Sequence, residues 1–323
     1  MIHAVIKILR AQRLRTTQVP ARSFRVLLAL MLVALTGSRL HSQQLQKPAK
    51  PIWMGQNSGV IVCWTQSDLT VAPSSDRAKT IFSAAVLAQR QFEAFKRDNI
   101  EDNRNSICSY ALTVRLLSVV GSLLSYEETK DTYCKSATGN WVWPHPSYET
   151  TYHVIDLNDP SKEVELTNLF SEDEILKALL GDPVVKKALG DRRTRKAPKT
   201  IAELINVFEM EGLSLEPLAG TAEAPRGCTF TLPEDILKQF AFHHLEDGKL
   251  AVRISLQPDV GACRTAHAQL GVVLPIPEPL RGPLDLAQAC KEGFLMKDAR
   301  KIAGDRVTKF GFRVGDRGRR RRT

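Results

Sequence analysis

The chain has 323 residues, of which 43% are hydrophobic and 25% are charged, and its formal net charge is +10. The positive charge is concentrated at the two ends. Residues 1–43 hold seven basic residues and no acidic one, and residues 313–323 hold six arginines and one aspartate. The region between them is nearly neutral and lacks the basic face that phosphate binding requires, so the composition argues against a nucleic-acid-binding protein.

An apolar run near the start, VLLALMLVALT at residues 26–36, follows Arg22 and Arg25. It has the length of the apolar stretch of a secretory signal and is well below the roughly 20 residues of a membrane-spanning helix. We predict a signal peptide at residues 1–42 with an unusually long basic start, and a periplasmic or secreted mature protein. No transmembrane span is expected after cleavage, and an uncleaved anchor is the alternative.

Six cysteines follow the predicted signal peptide. An even number is typical of chains that fold in an oxidising compartment. Cys108 and Cys134 are equidistant from Gly121, so a hairpin centred there would place them opposite each other and within reach of a disulfide. Cys228 and Cys263 flank a second hairpin signal and form the other predicted disulfide. Catalytic thiols are disfavoured in this setting.

The first half of the chain shows three kinds of element. Residues 43–57 are rich in proline and polar residues and indicate a linker. A β-branched run predicts a strand at 58–64, and apolar residues at steps of three and four predict an amphipathic helix over 77–97. Residues 110–117 and 123–133 predict the two strands of the first hairpin.

A strand is predicted at 151–157, and three short helices follow it. Their starts are marked by capping patterns at Ser171, Asp182 and Thr200. Asp247-Gly248 is the strongest hairpin signal of the chain, and the alternating residues after it predict a strand.

Hairpins mixed with separate helices predict an α+β fold, with a largely antiparallel sheet and several helices packed on it. We expect one exported domain at 58–300, with two lobes at 58–190 and 200–300 as the alternative. The basic tail at 311–323 is predicted to be disordered. A contact with an anionic envelope polymer or with lipid headgroups is the other interpretation of its charge.

The histidines show no metal-binding spacing. His243 and His244 are adjacent, so on a strand they would face opposite sides and could not easily share a metal ion. His145 and His153 lack spaced partners, and the sequence contains no H-E-x-x-H, C-x-x-C or G-x-S-x-G motif. We therefore predict no metal and no cofactor.

The carboxylates give no catalytic pattern either. Glu127 and Glu128 are adjacent and are predicted to lie on the surface, whereas a general acid or base needs burial and convergent geometry. The sequence leaves enzymatic activity open and favours a non-catalytic protein.

One stretch, GNWVWPHPSY at 139–148, is unusually rich in aromatic residues. Predicted as a loop, it supplies four candidate binding residues: Trp141, Trp143, His145 and Tyr148. Aromatic faces suit sugar rings or a partner protein, because they bury much area at small entropic cost. In the alternative interpretation, the two tryptophans fold back over the sheet as a hydrophobic lid.

Three runs, LLSYEETKDTYCKSATG, HPSYETTYHVIDL and VELTNLF, occur in an order that resembles an exported bacterial domain of unknown function. That domain occurs in the ectodomain of lysozyme-sensing anti-sigma factors and beside the catalytic domain of some peptidoglycan deacetylases. The later segments LEDGKLAVRISL and LGVVLPIPEPL resemble its hairpin and closing stretch. The residues that match its loop and the following segment are Gly139, His145, Pro146, Tyr148, Asp156, Leu157, Leu169 and Phe170.

The resemblance covers about residues 105–285 and implies an exported α+β domain that senses or binds. It implies neither lysozyme binding nor deacetylation. We therefore expect a non-catalytic module that binds a cell-envelope component, either cell-wall glycan or an envelope protein, through residues 139–148. The alternative is an envelope hydrolase with an unrecognised site, in which His243 or His145 would meet a buried carboxylate.

Overall fold

The computed structural model describes residues 52–57, 60–65, 68–73, 79–99, 106–136, 139–190, 197–211, 213–215, 228–258, 267–304 and 308–314. All of them belong to one compact unit that spans residues 50–323. The predicted signal peptide lies outside the described residues.

Four short strands form the first sheet, which is antiparallel. They are β1 (Trp53–Asn57), β2 (Val60–Trp64), β3 (Asp68–Pro73) and β4 (Lys79–Ser83), paired in that order. Two predictions are corrected here. The linker does not extend to residue 57, because β1 pairs with β2, and the helix begins at Ala84 rather than residue 77, because β4 pairs with β3.

The second sheet, here called the long sheet, has the order β12-β5-β6-β7. Its strands are β5 (Ser106–Val120), β6 (Leu123–Ser136), β7 (Trp141–Asp156) and β12 (Thr308–Val314). The tight turn between β5 and β6 contains Gly121 at φ 55°, a conformation that glycine adopts readily.

The predicted hairpin and its Cys108–Cys134 disulfide are both confirmed, with the two Cα atoms 4.0 Å apart. The prediction of a disordered tail from residue 311 is wrong for residues 311–314, because they pair with β5. The rest of the predicted tail lies outside the described residues.

The third sheet is built around β10. Its strands are β8 (Phe230–Thr231), β9 (Phe240–Glu246), β10 (Lys249–Pro258) and β11 (Ala268–Pro275), and β10 pairs with each of the other three. Asp247 and Gly248 both have positive φ, as a two-residue hairpin turn of this type requires. The hairpin predicted from these residues is confirmed.

The described residues contain six α-helices: α1 (Ala84–Asn99), α2 (Glu172–Gly181), α3 (Pro183–Leu189), α4 (Ile201–Met210), α5 (Glu278–Gln288) and α6 (Met296–Ala303). The predicted caps are confirmed, since the side chains of Ser171, Asp182 and Thr200 accept backbone N–H groups of the first turn. None of these helices is long and apolar enough to cross a membrane.

Two large hydrophobic cores lie on different parts of the fold. One joins the first sheet, α1 and α6 to one face of the long sheet, and the other joins the third sheet to α2, α3, α4 and α5. The predicted α+β class is confirmed, with three antiparallel sheets in place of the single sheet expected.

Removing the cross-link of the long sheet should destabilise the protein. Because a disulfide restricts the unfolded chain, we expect C108A/C134A to lower the free energy of unfolding by about 3 kcal/mol, measured by urea denaturation. Cys63→Ala is the control, since Cys63 is a free thiol, and it should cost no more than about 0.5 kcal/mol. Equal losses in the two variants would contradict the structural role of the disulfide.

Candidate functional site

The long sheet is covered unequally on its two faces. Strands β5, β6 and β7 have 15, 14 and 16 residues, which corresponds to roughly 50 Å each. The inner face carries Tyr110 and Leu112 and packs on α1 and the first sheet. The outer face is buried near the β5–β6 turn, where Leu117 and Tyr152 cluster with Ala241 of the third sheet.

Towards the other end of the strands, the outer face emerges from the third sheet. Near this point Ser255 of β10 contacts β7, since its hydroxyl donates to the backbone carbonyl of Thr150 at 2.6 Å. Beyond that point lies a surface that we call the open face, whose residues are all half-buried or exposed. They are Ser109, Ala111, Asp131, Tyr133, Lys135, Tyr148, Lys309, Gly311 and Arg313.

A single row of paired residues crosses the sheet at this end. It runs from Val314 through Cys108 and Cys134 to Val142. With neighbouring strands about 4.8 Å apart, the row is roughly 14 Å wide. The disulfide joins its two central members, and the next residue pair outward includes Trp141. The end of β12 and the start of β7 therefore lie at the same end of the sheet.

The prediction of an aromatic loop at 139–148 is wrong, because β7 begins at Trp141. The strand is interrupted by a bulge in which residues 143–146 together oppose Tyr133 of β6. The two prolines of this stretch cannot donate a ladder hydrogen bond, which accounts for the interruption.

Of the four predicted binding residues, Tyr148 is the one whose side chain the structure describes. It lies on the open face opposite Asp131 and is 37% exposed. The side chains of Trp141, Trp143 and His145 are outside the described part, so their binding role remains a prediction. Their backbone belongs to the first part of β7, which borders the open face.

The open face is basic and partly aromatic. It carries three cationic side chains, Lys135, Lys309 and Arg313, and one carboxylate, Asp131. The ammonium group of Lys135 lies 5.7 Å from the centre of the Tyr133 ring, within range of a cation–π interaction. Sequence reasoning missed this surface because its cations come from β6 and β12, which are far apart in the chain.

A second polar group lies on the inner face and is centred on Glu128. This residue is 2% exposed, so the prediction that it lies on the surface is wrong. Gln91 of α1 donates to its Oε1 at 2.7 Å and accepts the Tyr110 hydroxyl at 2.6 Å. Lys130 Nζ lies 3.8 Å from Glu128 Oε1, and His153 Nε2 lies 3.9 Å from Oε2. These contacts compensate a carboxylate buried beneath α1.

The geometry of His153 does not fit a catalytic relay with Glu128. The Thr151 hydroxyl lies 3.0 Å from His153 Nε2, the same nitrogen that faces Glu128. A relay from acid through histidine to nucleophile uses the two different ring nitrogens. Burial lowers the pKa of His153, and burial followed by the charge of Glu128 raises the pKa of Tyr126, whose ring stacks on His153.

His243 and His244 do not face opposite sides as predicted. A bulge in the pairing of β9 with β10 releases His243 from the ladder and brings the two Nδ1 atoms to 2.7 Å. Burial, followed by the charges of Arg253, His244 and Lys297, lowers the pKa of His243 to about 4. The charges that act on it are therefore basic, unlike the carboxylate that the hydrolase alternative requires.

Across the described residues, no group of three or more His, Cys, Asp and Glu side chains is arranged to hold a metal ion.

The other cysteines are partly accounted for. Cys228 is disulfide-bonded, but Cys263 lies outside the described residues, so their pairing remains a prediction. Cys63 and Cys290 are free thiols.

Comparison with known proteins gives no match. No family model matches the chain, no curated protein is similar to it, and no solved structure matches its fold. The resemblance to the exported bacterial domain therefore rests on the sequence segments quoted above.

Truncation of Gln91 should destabilise the fold, because it leaves the buried Glu128 carboxylate without its shortest hydrogen bond. We expect Gln91→Ala to lower the free energy of unfolding by about 2 kcal/mol, measured by urea denaturation. Gln89→Ala is the matched control on the same helix, since Gln89 bonds Glu93 at the exposed surface. It should change stability by no more than about 0.5 kcal/mol. Similar losses in both variants would refute the proposed stabilising contact.

Stability should fall as the pH drops from 6.5 towards 4. In the unfolded chain, His243 takes up a proton near its ordinary pKa of 6.5. In the folded protein the pKa of His243 is lowered to about 4. Between these two pKa values the unfolded state binds more protons than the folded state. The stability that is present above pH 6.5 is therefore lost as the pH falls through this range. Melting temperatures across this range should decline less for His243→Asn than for the unmodified protein. Parallel curves for the two proteins would count against this assignment.

Proposed function

We propose that the chain is an exported, non-catalytic binding module that engages a component of the bacterial cell envelope. Its binding surface is the open face together with the adjoining ends of β6 and β7. The observation that carries the proposal is the unequal coverage of the long sheet. One half of its outer face is buried against the third sheet, and the other half presents Tyr133, Tyr148 and three cations to solvent.

The chemistry of this surface suits binding. Tyrosine combines a large apolar ring with a polar hydroxyl and loses little conformational entropy on contact. The surface is carried by paired strands, and the Cys108–Cys134 disulfide fixes two of them. Such pre-organisation lowers the entropy cost of association.

Export is supported by two independent features. The apolar run at 26–36 has the length of a secretory signal, and the Cys108–Cys134 disulfide is typical of proteins in an oxidising compartment. Cell-wall glycan, an envelope protein and the membrane surface are the envelope components available to such a module. An envelope hydrolase is less well supported, because the charged groups that act on His243 are basic and do not include the carboxylate that such a site requires.

Loss of the aromatic side chains should abolish binding without unfolding the protein. We expect W141A/W143A and Tyr148→Ala to weaken co-sedimentation with isolated bacterial envelopes, which retain wall and membrane, by at least about tenfold. The melting temperature should stay nearly unchanged.

Met210→Ala is the control for this experiment, since Met210 is an exposed apolar residue of α4, and it should bind like the unmodified protein. If the unmodified protein does not sediment with envelopes, the proposed function is wrong. If W141A/W143A loses stability instead of binding, the two tryptophans belong to the core.

A further inference from the structure

We infer that the open face docks on the surface of an anionic lipid bilayer. This inference rests on the proposed function and names the partner of the same surface. It depends on three features of the described residues: the sign of the charge, its position at one end of the long sheet, and the two tyrosines that accompany the cations.

The charge favours an anionic partner. Lys309 and Arg313 are exposed on the outer side of β12, and Lys135 stands on β6 two strands away, with Asp131 as the one carboxylate of the face. Because residues 44–313, which hold all four of these groups, are nearly neutral as a whole, this concentration of cations favours one orientation of the molecule towards a negative surface.

The sequence that follows β12 is also basic. Residues 315–323 contain five arginines and one aspartate. They continue from Val314, which belongs to the row that also holds Val142 of β7. Basic residues are attracted to an anionic bilayer within a Debye length, about 8 Å at physiological ionic strength. The basic run therefore begins beside the face that would approach the headgroups.

The tyrosines of the open face favour the surface of a bilayer as its partner. The open face is one side of a four-stranded sheet, and it is roughly 14 Å wide. It presents Tyr133 and Tyr148 half-buried or exposed between the cations. Tyrosine is favoured at membrane interfaces, where its ring meets the apolar boundary and its hydroxyl stays in water.

The test is vesicle co-sedimentation of the full chain. We expect binding to vesicles of phosphatidylcholine mixed with phosphatidylglycerol, and little binding to pure phosphatidylcholine. Charge reversal in K309E/R313E should weaken binding to the anionic vesicles by at least about 25-fold, about fivefold for each lost cation. Replacing Arg319, Arg320, Arg321 and Arg322 by serine should weaken it further. Raising the salt from about 0.1 M to about 1 M should reduce binding by the unmodified protein.

The matched control is K177E/K249E, because Lys177 and Lys249 are exposed lysines on α2 and β10. It should bind nearly as well as the unmodified protein. Equal weakening in both double variants would overturn the inference, since attraction would then reflect net charge and not the open face. Binding to isolated envelopes or purified wall glycan without binding to anionic vesicles would also overturn it, while the proposed function would stand. If K309E/R313E has an altered melting temperature, the neutral variant K309Q/R313Q replaces it in the vesicle experiment. K309Q/R313Q should also bind anionic vesicles more weakly than the unmodified protein and K177E/K249E.

Discussion

The disulfide between Cys108 and Cys134 ties the two central strands of the long sheet together at the end farthest from their turn. Register is critical in this sheet because side chains alternate between faces. A slip by one residue would move Tyr110 and Leu112 from the core to solvent. The described part of the third sheet does not cover this end of the outer face, so the covalent link and the inner core together help to hold the strands in place. Both the row of paired residues and the open face depend on that register.

The two faces of the long sheet carry different kinds of polar chemistry. On the inner face, Glu128 is buried and compensated by Gln91 and Lys130, and its bond with Gln91 helps to position α1 on the sheet. On the outer face, Asp131, Lys309 and Arg313 are exposed to solvent. The proposed binding side is marked by its exposure and its excess of cations.

Features encoded over short distances could be predicted from the sequence. The hairpin around Gly121, the Asp247-Gly248 turn and the helix caps each depend on residues close in the chain, and all are present. Of the first sheet the sequence predicted only β2, as part of a strand at 58–64, and β12 was not predicted, since it pairs with the distant strand β5. Two bulges caused the other errors: one makes the 139–148 segment part of a strand, and the other brings His243 and His244 together. The open face exists only after β12 pairs with β5, which explains why no linear motif indicates it.

β12 is an edge strand of the long sheet, which has a separate consequence for self-association. The unpaired backbone N–H and C=O groups of an edge strand can bond to a second copy of the chain, which is a common route to aggregation. If the β12 strands of two copies paired, Lys309 and Arg313 of one copy would lie close to the same residues of the other. Their mutual repulsion disfavours that encounter, so these side chains also protect the solubility of the folded protein at high concentration.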